Sequence, residues 1–215
     1  MKKSLSELRK NYTAMHLDET HLPRTPHKLF HRWFDEVTQA GGVEEVNAMT
    51  LSTVAKSGTV RGRVVLLKDM LDEGFVFYTN YSSDKSEAIF HHPEVCLSFF
   101  WPNLERQVII SGTAKKVPAE LSDAYFSSRP RGSQLGAHVS PQSQVIASQH
   151  ELSERLGELT KQFEGQDVPR PAHWGGIVVL PKRIEFWQGR PNRLHDRIVY
   201  TKDTETTWTT SRLAP

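Results

Sequence analysis

Strand-like segments joined by short turns constrain the fold of this chain most strongly. The first three lie at residues 48–55, 60–68 and 75–79, and a turn ending at Gly74 separates the last two. This order predicts an antiparallel meander rather than strand–helix–strand units. Further strands are predicted at residues 94–101, 105–117, 174–180, 183–188, 196–201 and 207–212. The expected fold class is mainly β with flanking helices, most simply one barrel-like domain.

Helical segments are inserted between these strands. Thr25 can cap a helix that starts at Pro26, carries an apolar stripe on one face and ends at Gly41. Other helices are predicted at residues 84–90, 119–128 and 151–163, and a short charged helix is predicted at about 4–14. The expected organisation is an N-terminal arm with freedom to move over residues 1–24 and a single domain over residues 25–215.

Composition and charge argue against several functional classes. The 27 basic residues are nearly matched by 25 acidic ones, which argues against nucleic-acid binding by bulk electrostatics. No window is apolar for long enough to cross a membrane. The single cysteine, Cys96, cannot form an internal disulfide and indicates a reducing, cytoplasmic location. His91 and His92 point in different directions on a helix and no third ligand follows at a suitable spacing, so no metal site is predicted.

A cationic segment follows the turn at Gly189 and Pro191. Arg193, His195 and Arg197 occupy alternate positions, so an extended chain would project all three side chains from one face. Guanidinium groups suit the bidentate grip that phosphate or carboxylate offers. The segment is therefore either half of an anion-binding active site or a solvated edge strand whose charges discourage aggregation.

A second anion-binding set is predicted around a helix end. Tyr125 and Arg129 stand four residues apart on the last helical turn, and Ser133 follows a short loop later. Each side chain can donate a hydrogen bond to phosphate, although an arginine at a helix C-terminus is also a routine partner of the helix dipole. Lys68 ends an apolar run, where it either meets an anion or extends into solvent. Because the chain has no glycine-rich phosphate loop, side chains would have to hold a nucleotide-like ligand.

Five motifs occur together and in order along the chain. They are Arg63-Val-Val-Leu-Leu-Lys68, Phe77-Tyr-Thr-Asn80, Glu105-Arg-Gln107, Tyr125-Phe-Ser-Ser-Arg129-Pro-Arg-Gly-Ser133-Gln134, and Phe186-Trp-Gln-Gly189 through Arg193-Leu-His-Asp-Arg197. With the terminal Arg212-Leu-Ala-Pro215, the chain resembles the pyridoxine/pyridoxamine 5′-phosphate oxidase family over nearly its whole length. Single motifs of this size are weak signals, whereas the joint match is specific.

The resemblance implies an antiparallel split β-barrel homodimer that binds FMN at the subunit interface. It also implies oxidation of pyridoxine 5′-phosphate or pyridoxamine 5′-phosphate to pyridoxal 5′-phosphate, with oxygen reduced to hydrogen peroxide. By position, the implied FMN contacts are Arg63, Val64, Val65, Leu66, Leu67, Lys68, Tyr78, Thr79, Lys85, Gln107, Gln142, Ser143, Trp187 and Arg197. The implied substrate contacts are Arg9, Tyr12, Lys68, Tyr125, Arg129, Ser133, Arg193 and His195, and the last two are the expected catalytic residues.

One position departs from the family pattern. The family usually has Arg-Lys beside the FMN phosphate, whereas this chain has Asp84-Lys85. We expect the Asp84 carboxylate to turn away from the phosphate and cap its own helix. Two other functions stay open at this stage: a split-barrel flavin reductase that uses another electron carrier, and a non-catalytic binder of flavin or pyridoxal phosphate. The complete substrate set disfavours the reductase, and flavin reduction by substrate would exclude the binder.

Overall fold

The computed structural model describes residues 4–8 and 10–215, and helices and strands alternate irregularly along them. The helices are α1 (Pro26–Ala40), α2 (Asp84–His91), α3 (Ala119–Ser128), α4 (Arg131–Val139) and α5 (Gln149–Gln162), with 3-10 turns at Leu5–Glu7 and Pro191–Arg193. The strands are β1 (Ala48–Val54), β2 (Val60–Leu66), β3 (Asp69–Leu71), β4 (Gly74–Asn80), β5 (Glu94–Trp101), β6 (Arg106–Lys116), β7 (Trp174–Gln188), β8 (Asp196–Lys202) and β9 (Trp208–Arg212).

The strands form one sheet, in which the order is β2-β1-β5-β6-β7-β4-β3 and β8 joins β7 to β9. The pairs β3–β4, β4–β7, β7–β8 and β8–β9 are antiparallel. The prediction of a mainly antiparallel β fold with flanking helices is therefore confirmed. The predicted N-terminal helix is wrong for most of its length, because within residues 4–14 only the turn Leu5–Glu7 is helical among the residues described.

Strand β7 runs for 15 residues where two strands were predicted. Residues 174–179 of β7 pair with β4, and residues 183–188 pair with β8. Pro181 lies between the two paired stretches, so its missing N–H interrupts neither ladder. Ile184, Phe186 and Gln188 are fully buried and Trp187 is partly exposed, as predicted, whereas Glu185 on the opposite face is also buried and accepts from Arg183 and Arg197.

The chain divides into two compact units. The first comprises residues 1–50, 96–111 and 181–215, and the second comprises residues 51–95 and 112–180. In the first unit, α1 buries its predicted apolar stripe: Trp33 packs edge-on against Phe186 at 5.2 Å between ring centroids, and Phe30 packs against Phe99 at 5.1 Å. Thr25 is the N-cap of α1 as predicted, although its side chain makes no capping hydrogen bond.

The core of the second unit brings together α3, α4 and the start of β7. Phe126, Leu135, Val168 and Trp174 are buried there. Ser133 was expected a short loop after α3, whereas residues 131–139 form the helix α4, which corrects its expected position. The helix forms because Pro130 precedes its first residue and because Leu135 and Val139, four residues apart, bury one face.

The first unit contains a buried arginine, Arg106, that links α1 to the end of β7. Its guanidinium donates to Glu36 at 2.5 Å and to Gln188 Oε1 at 3.0 Å, and it lies 4.3 Å from the centroid of the Trp33 ring. Replacing one partner of a buried charge leaves that charge poorly compensated. We therefore expect Glu36→Ala to lower the free energy of unfolding by about 1.5–3 kcal/mol, as measured by urea denaturation.

Asp35→Ala is the matched control for this prediction. Asp35 is exposed on the same helix, so its substitution should change the free energy of unfolding by less than about 0.5 kcal/mol. Equal losses in the two variants would contradict the role assigned to the ion pair between Glu36 and Arg106.

Candidate active site

The second unit gathers cationic and polar side chains from three elements. Lys85, in the first turn of α2, donates to Gln142 Oε1 at 2.8 Å and to Thr79 Oγ1 at 3.2 Å. Thr79 lies near the end of β4, and Gln142 lies in the turn that follows α4. Three residues predicted to contact FMN are thus brought together by the fold.

Arg63, on β2, completes this cationic group. Its guanidinium donates to the Leu51 carbonyl at 3.1 Å and to Thr53 Oγ1 at 2.7 Å, which fixes its orientation. Burial lowers the pKa of Arg63, and the charge of Arg61 lowers it further. Burial and the charge of Arg63 likewise lower the pKa of Lys85. Because these cations disfavour one another, a bound anion would relieve both, and the residues present fit a phosphate.

Asp84 does not cap its helix, so that expectation is wrong. Ser83 is the N-cap, Asp84 is the first residue of α2, and the Asp84 carboxylate accepts from Arg61 at 2.7 Å. Both side chains are about half exposed, so the pair contributes little to stability. The pair matters locally, because the Asp84 carboxylate, which is adjacent to Lys85, already has Arg61 as its cationic partner.

The other predicted FMN contacts of this unit lie on β2 and directly after it, on β4 at Tyr78, and in the turn after α4. Val64 is exposed, Val65 and Leu66 are partly exposed, and Leu67 is buried. Lys68 has an exposed side chain, and its backbone N–H donates to Val76 O at 2.8 Å. Ser143 is exposed and has a left-handed backbone with φ of 72°. The contacts of these residues with FMN stay predictions.

A second polar group lies beside a stack of aromatic rings. Tyr78 stacks on Tyr125 with 3.8 Å between centroids, and both rings lie nearly parallel to Trp174. The Arg129 guanidinium lies over Trp174 at 4.4 Å, and burial lowers the pKa of Arg129. Its Nη1 atom is buried and has no hydrogen-bond partner among the described residues. Buried donors are normally paired, so this atom fits an anionic ligand.

The members of the predicted substrate set differ in their positions. Tyr125 lies on α3, and Arg129 follows its last residue as the C-cap. Ser133 is exposed in the first turn of α4, not in a loop. Trp174 was not predicted as a site residue, yet its ring lies beneath the Arg129 guanidinium. An isolated tryptophan at the start of a strand was the available signal.

The first unit contains a separate cavity of about 730 Å³. The rings of Trp187 and His195 lie 4.6 Å apart in it, and Tyr12 is edge-on to each at 5.7 Å. The cavity lining also includes Lys10, Gln107, Arg190 and Arg193. Arg9 lies outside the described residues.

Arg193, His195 and Arg197 do not share one extended face, which corrects the alternation argument. Residues 191–193 form a 3-10 turn in which Asn192 has φ of 56° and Arg193 has φ of 63°. Left-handed residues reverse the chain direction locally, so alternate positions no longer point the same way. Arg193 and His195 line the cavity, whereas Arg197 lies on β8 and donates to Glu185 at 2.7 Å.

The surroundings of His195 favour a neutral imidazole. Burial lowers its pKa, and the nearby charge of Arg193 lowers it further. The Arg190 backbone N–H donates to Nδ1 at 3.1 Å, so Nδ1 is the acceptor and the ring proton lies on Nε2. At neutral pH, His195 therefore presents an N–H donor.

Two structural observations bear on other classes of function. Within residues 4–8 and 10–215, no group of three or more histidine, cysteine or acidic side chains is arranged to hold a metal ion. No helix in the described part of the chain has both the length and the apolar character needed to span a membrane.

The influence of Arg193 on His195 can be measured by titration. Because the guanidinium disfavours the imidazolium, Arg193→Ala should raise the pKa of His195 toward its ordinary value, as followed by NMR of the ring. Lys28→Ala removes an equal charge from an exposed position of α1 and should leave this pKa unchanged. A pKa that stays the same or falls in Arg193→Ala would contradict the electrostatic argument.

Comparisons with known proteins agree with this arrangement. Residues 34–162 match the family model described as pyridoxamine 5′-phosphate oxidase, and residues 174–215 match the pyridoxine 5′-phosphate oxidase C-terminal dimerisation region. The chain is 56% identical to a pyridoxine/pyridoxamine 5′-phosphate oxidase of Flavobacterium johnsoniae over 98% of each chain. It is 50% identical to the protein of the same name from Leptospira interrogans over the full length of both.

Solved structures confirm the predicted fold. PhzG from Burkholderia lata, in complex with tetrahydrophenazine-1-carboxylic acid, aligns with a TM-score of 0.86 and 26% identity, covering 94% of this chain and all of that one. An FMN-binding protein of Nostoc punctiforme aligns with a TM-score of 0.70 over 90% of this chain and all of that one; at 13% identity it supports the fold alone. The fold is an antiparallel split β-barrel, and the chain belongs to the pyridoxine/pyridoxamine 5′-phosphate oxidase family.

Proposed function

We propose that this protein is an FMN-dependent oxidase that converts pyridoxine 5′-phosphate or pyridoxamine 5′-phosphate to pyridoxal 5′-phosphate. One observation carries the proposal: the second unit has two distinct cationic sets, one around Arg63 and Lys85 and the other at Arg129. Two phosphates, one from the cofactor and one from the substrate, match these two sets. The names of the relatives support this substrate class.

The first set would hold the FMN phosphate. Arg63 and Lys85 supply charge, and Thr79 and Gln142 are already oriented by their hydrogen bonds to each other and to Lys85. Bound FMN would supply the hydride acceptor for the substrate carbon, and oxygen would take up the two electrons and be released as hydrogen peroxide. Gln107, Trp187 and Arg197 are proposed as further FMN contacts.

The second set would hold the substrate phosphate. Arg129 supplies the charge through its buried nitrogen, and Tyr125 offers a hydroxyl donor; Lys68 and Ser133 are proposed as additional contacts. Arg193 and His195 would enclose the pyridine ring. Since His195 already carries its proton on Nε2, we assign it a donor role in binding, and Arg193 the role of positioning the substrate and stabilising developing charge.

The assembly that we propose is a homodimer with FMN at the subunit interface. The match of residues 174–215 to a dimerisation region supports the dimer. The single cysteine, Cys96, is partly exposed, and a lone free thiol favours the reducing environment of the cytoplasm.

The direct test is anaerobic reduction of the bound flavin. The purified protein should show a flavin spectrum that bleaches on addition of pyridoxine 5′-phosphate without oxygen and returns in air, with one pyridoxal 5′-phosphate formed for each flavin reduced. A flavin that stays oxidised with both phosphorylated substrates would overturn the oxidase. That result would favour a split-barrel flavin reductase or a non-catalytic binder.

The role of Arg129 predicts a defect in substrate binding alone. Arg129→Gln removes a charged donor worth about 1.5–3 kcal/mol, so KM for pyridoxine 5′-phosphate should rise roughly 10- to 150-fold. Bound flavin should stay at the wild-type level. Arg155→Gln, on the exposed surface of α5, is the control and should leave KM unchanged. A loss of flavin with KM unaltered would place Arg129 at the cofactor instead.

The pairing of Asp84 with Arg61 predicts a small effect of Asp84 on FMN affinity. An exposed ion pair is worth at most about 1 kcal/mol, so Asp84→Arg should change the Kd for FMN by less than about fivefold in a fluorescence titration. Arg63→Gln is the positive control and should weaken FMN by more than about tenfold. A large gain in affinity for Asp84→Arg would contradict this account.

A further inference from the structure

A buried carboxylate, Glu105, connects the N-terminal segment to the cavity of the first unit. Residues 10–18 are called the strap here. The side chain of Glu105 is only 4% exposed, and it accepts from Lys10 Nζ at 2.9 Å and from the Ala14 backbone N–H at 3.0 Å. Burying a carboxylate is costly unless such partners meet it, so these contacts define the position of the first half of the strap.

Tyr12 lies between the two strap residues that Glu105 holds. Its ring meets Trp187 and His195 edge-on, and Gly189 provides the space that it occupies. A Cβ atom at Gly189 would lie 2.7 Å from Tyr12 Cγ and 2.9 Å from Tyr12 Cβ. The place of Tyr12 over the cavity therefore depends on an anchor on either side and on the missing side chain beneath it.

The main chain of Glu105 is fixed to the same part of the cavity. Its carbonyl accepts from the Gly189 N–H at 2.8 Å and from Gln188 Nε2 at 3.3 Å, and its backbone is left-handed, with φ of 59°. One residue thus bonds the floor beneath Tyr12 through its carbonyl and the strap through its carboxylate. An acidic residue whose only role was to neutralise Lys10 would not require its own carbonyl to bond Gly189 and Gln188.

The second half of the strap has anchors of its own. The Leu17 N–H donates to Asp196 Oδ2 at 3.0 Å, and the Met15 carbonyl accepts from Arg190 at 3.1 Å. Arg212 donates to the Leu17 carbonyl at 2.9 Å. Loss of the Glu105 contacts would therefore release residues 10–14 without detaching the rest of the strap.

We propose that Glu105 is a positioning residue for substrate binding, which holds Tyr12 over the cavity formed with Trp187 and His195. The identity of the enclosed ring, a pyridine, rests on the proposed function. Burial alone would raise the pKa of Glu105, but the Ala14 N–H and Lys10 lower it below its ordinary value. The carboxylate is therefore charged at neutral pH and holds the strap under the conditions in which the enzyme works.

The test uses Glu105→Gln in the FMN-loaded protein, with two readouts. Hydrogen exchange at the Ala14 amide should become at least about tenfold faster, because the variant loses the negative charge that strengthens this hydrogen bond and replaces one of the two acceptor oxygens by an NH2 donor. KM for pyridoxine 5′-phosphate should rise about tenfold, while kcat and flavin content stay near wild type. Lys10 is mostly exposed, so water can solvate its ammonium in the variant and the fold should persist.

Gly189→Ala provides a second route to the same effect. The added Cβ would lie 2.7 Å from Tyr12 Cγ and 3.1 Å from Glu105 Cβ, so it displaces Tyr12 most while the carboxylate oxygens and Lys10 remain, and KM should rise again with kcat retained. Gly157→Ala, where an added Cβ meets nothing within 4 Å, is the matched control and should behave as wild type.

Two results would overturn the proposal. One is an unchanged Ala14 exchange rate and KM in Glu105→Gln; the other is a KM that rises only together with loss of flavin and of thermal stability, as a merely structural residue would produce. Failure of the proposed function is distinguishable from both: the wild-type flavin would not be reduced by either substrate, and unchanged Ala14 exchange in Glu105→Gln would still overturn the contact.

Discussion

Two adjacent charged residues at the start of β6, Glu105 and Arg106, are both buried in the first unit. A buried charge is costly unless it is paired, and Glu105 and Arg106 each bond segments that are distant in sequence. Arg106 bonds Glu36 on α1 and Gln188 at the end of β7, while Glu105 bonds the strap. These contacts add little net stability by themselves, but they fix which segments meet. The arrangement of α1, the strap and the β7 turn follows from that requirement.

The second unit meets the demand for anion binding with side chains rather than with a glycine-rich loop. Thr79 belongs to the set around Lys85, and its neighbour on β4, Tyr78, belongs to the stack beside Arg129. Successive side chains on a strand point to opposite faces, so a single strand can serve both sets. Arg63 and Lys85 are held by neutral oxygen atoms, which orient the cations and leave their charge available. Such preorganisation lowers the cost of binding phosphate.

Much of the fold could be predicted from the sequence, because burial of one face makes apolar residues recur with the period of a helix or a strand. The apolar stripe of α1 and the burial of Ile184, Phe186 and Gln188 both appear as expected. The errors arose where short-range patterns do not determine the backbone. Two strands were predicted within β7, but Pro181 lies where one continuous strand changes partners. The left-handed turn at Asn192 could not be recognised from residue types alone.

The candidate site could be predicted only in part from the sequence. The set at Arg129 was predicted from the spacing of Tyr125, Arg129 and Ser133, whereas the set around Lys85 was identified by resemblance. The structure brings Lys85, Thr79 and Gln142 together. The pairing of Asp84 with Arg61 and the grip of Glu105 on Ala14 join residues 23 and 91 positions apart, which no local pattern reveals. The signal that the sequence offered for Glu105 was a charged residue placed directly before the apolar part of a strand.

The central claim is that two different cationic sets hold two different phosphates, and a crystal structure with FMN and pyridoxal 5′-phosphate bound would test it most directly. The account predicts the FMN phosphate against Arg63 and Lys85, and the phosphate of pyridoxal against Arg129 Nη1. Both phosphates on one set, or Arg129 Nη1 still unpaired in the ternary complex, would contradict it.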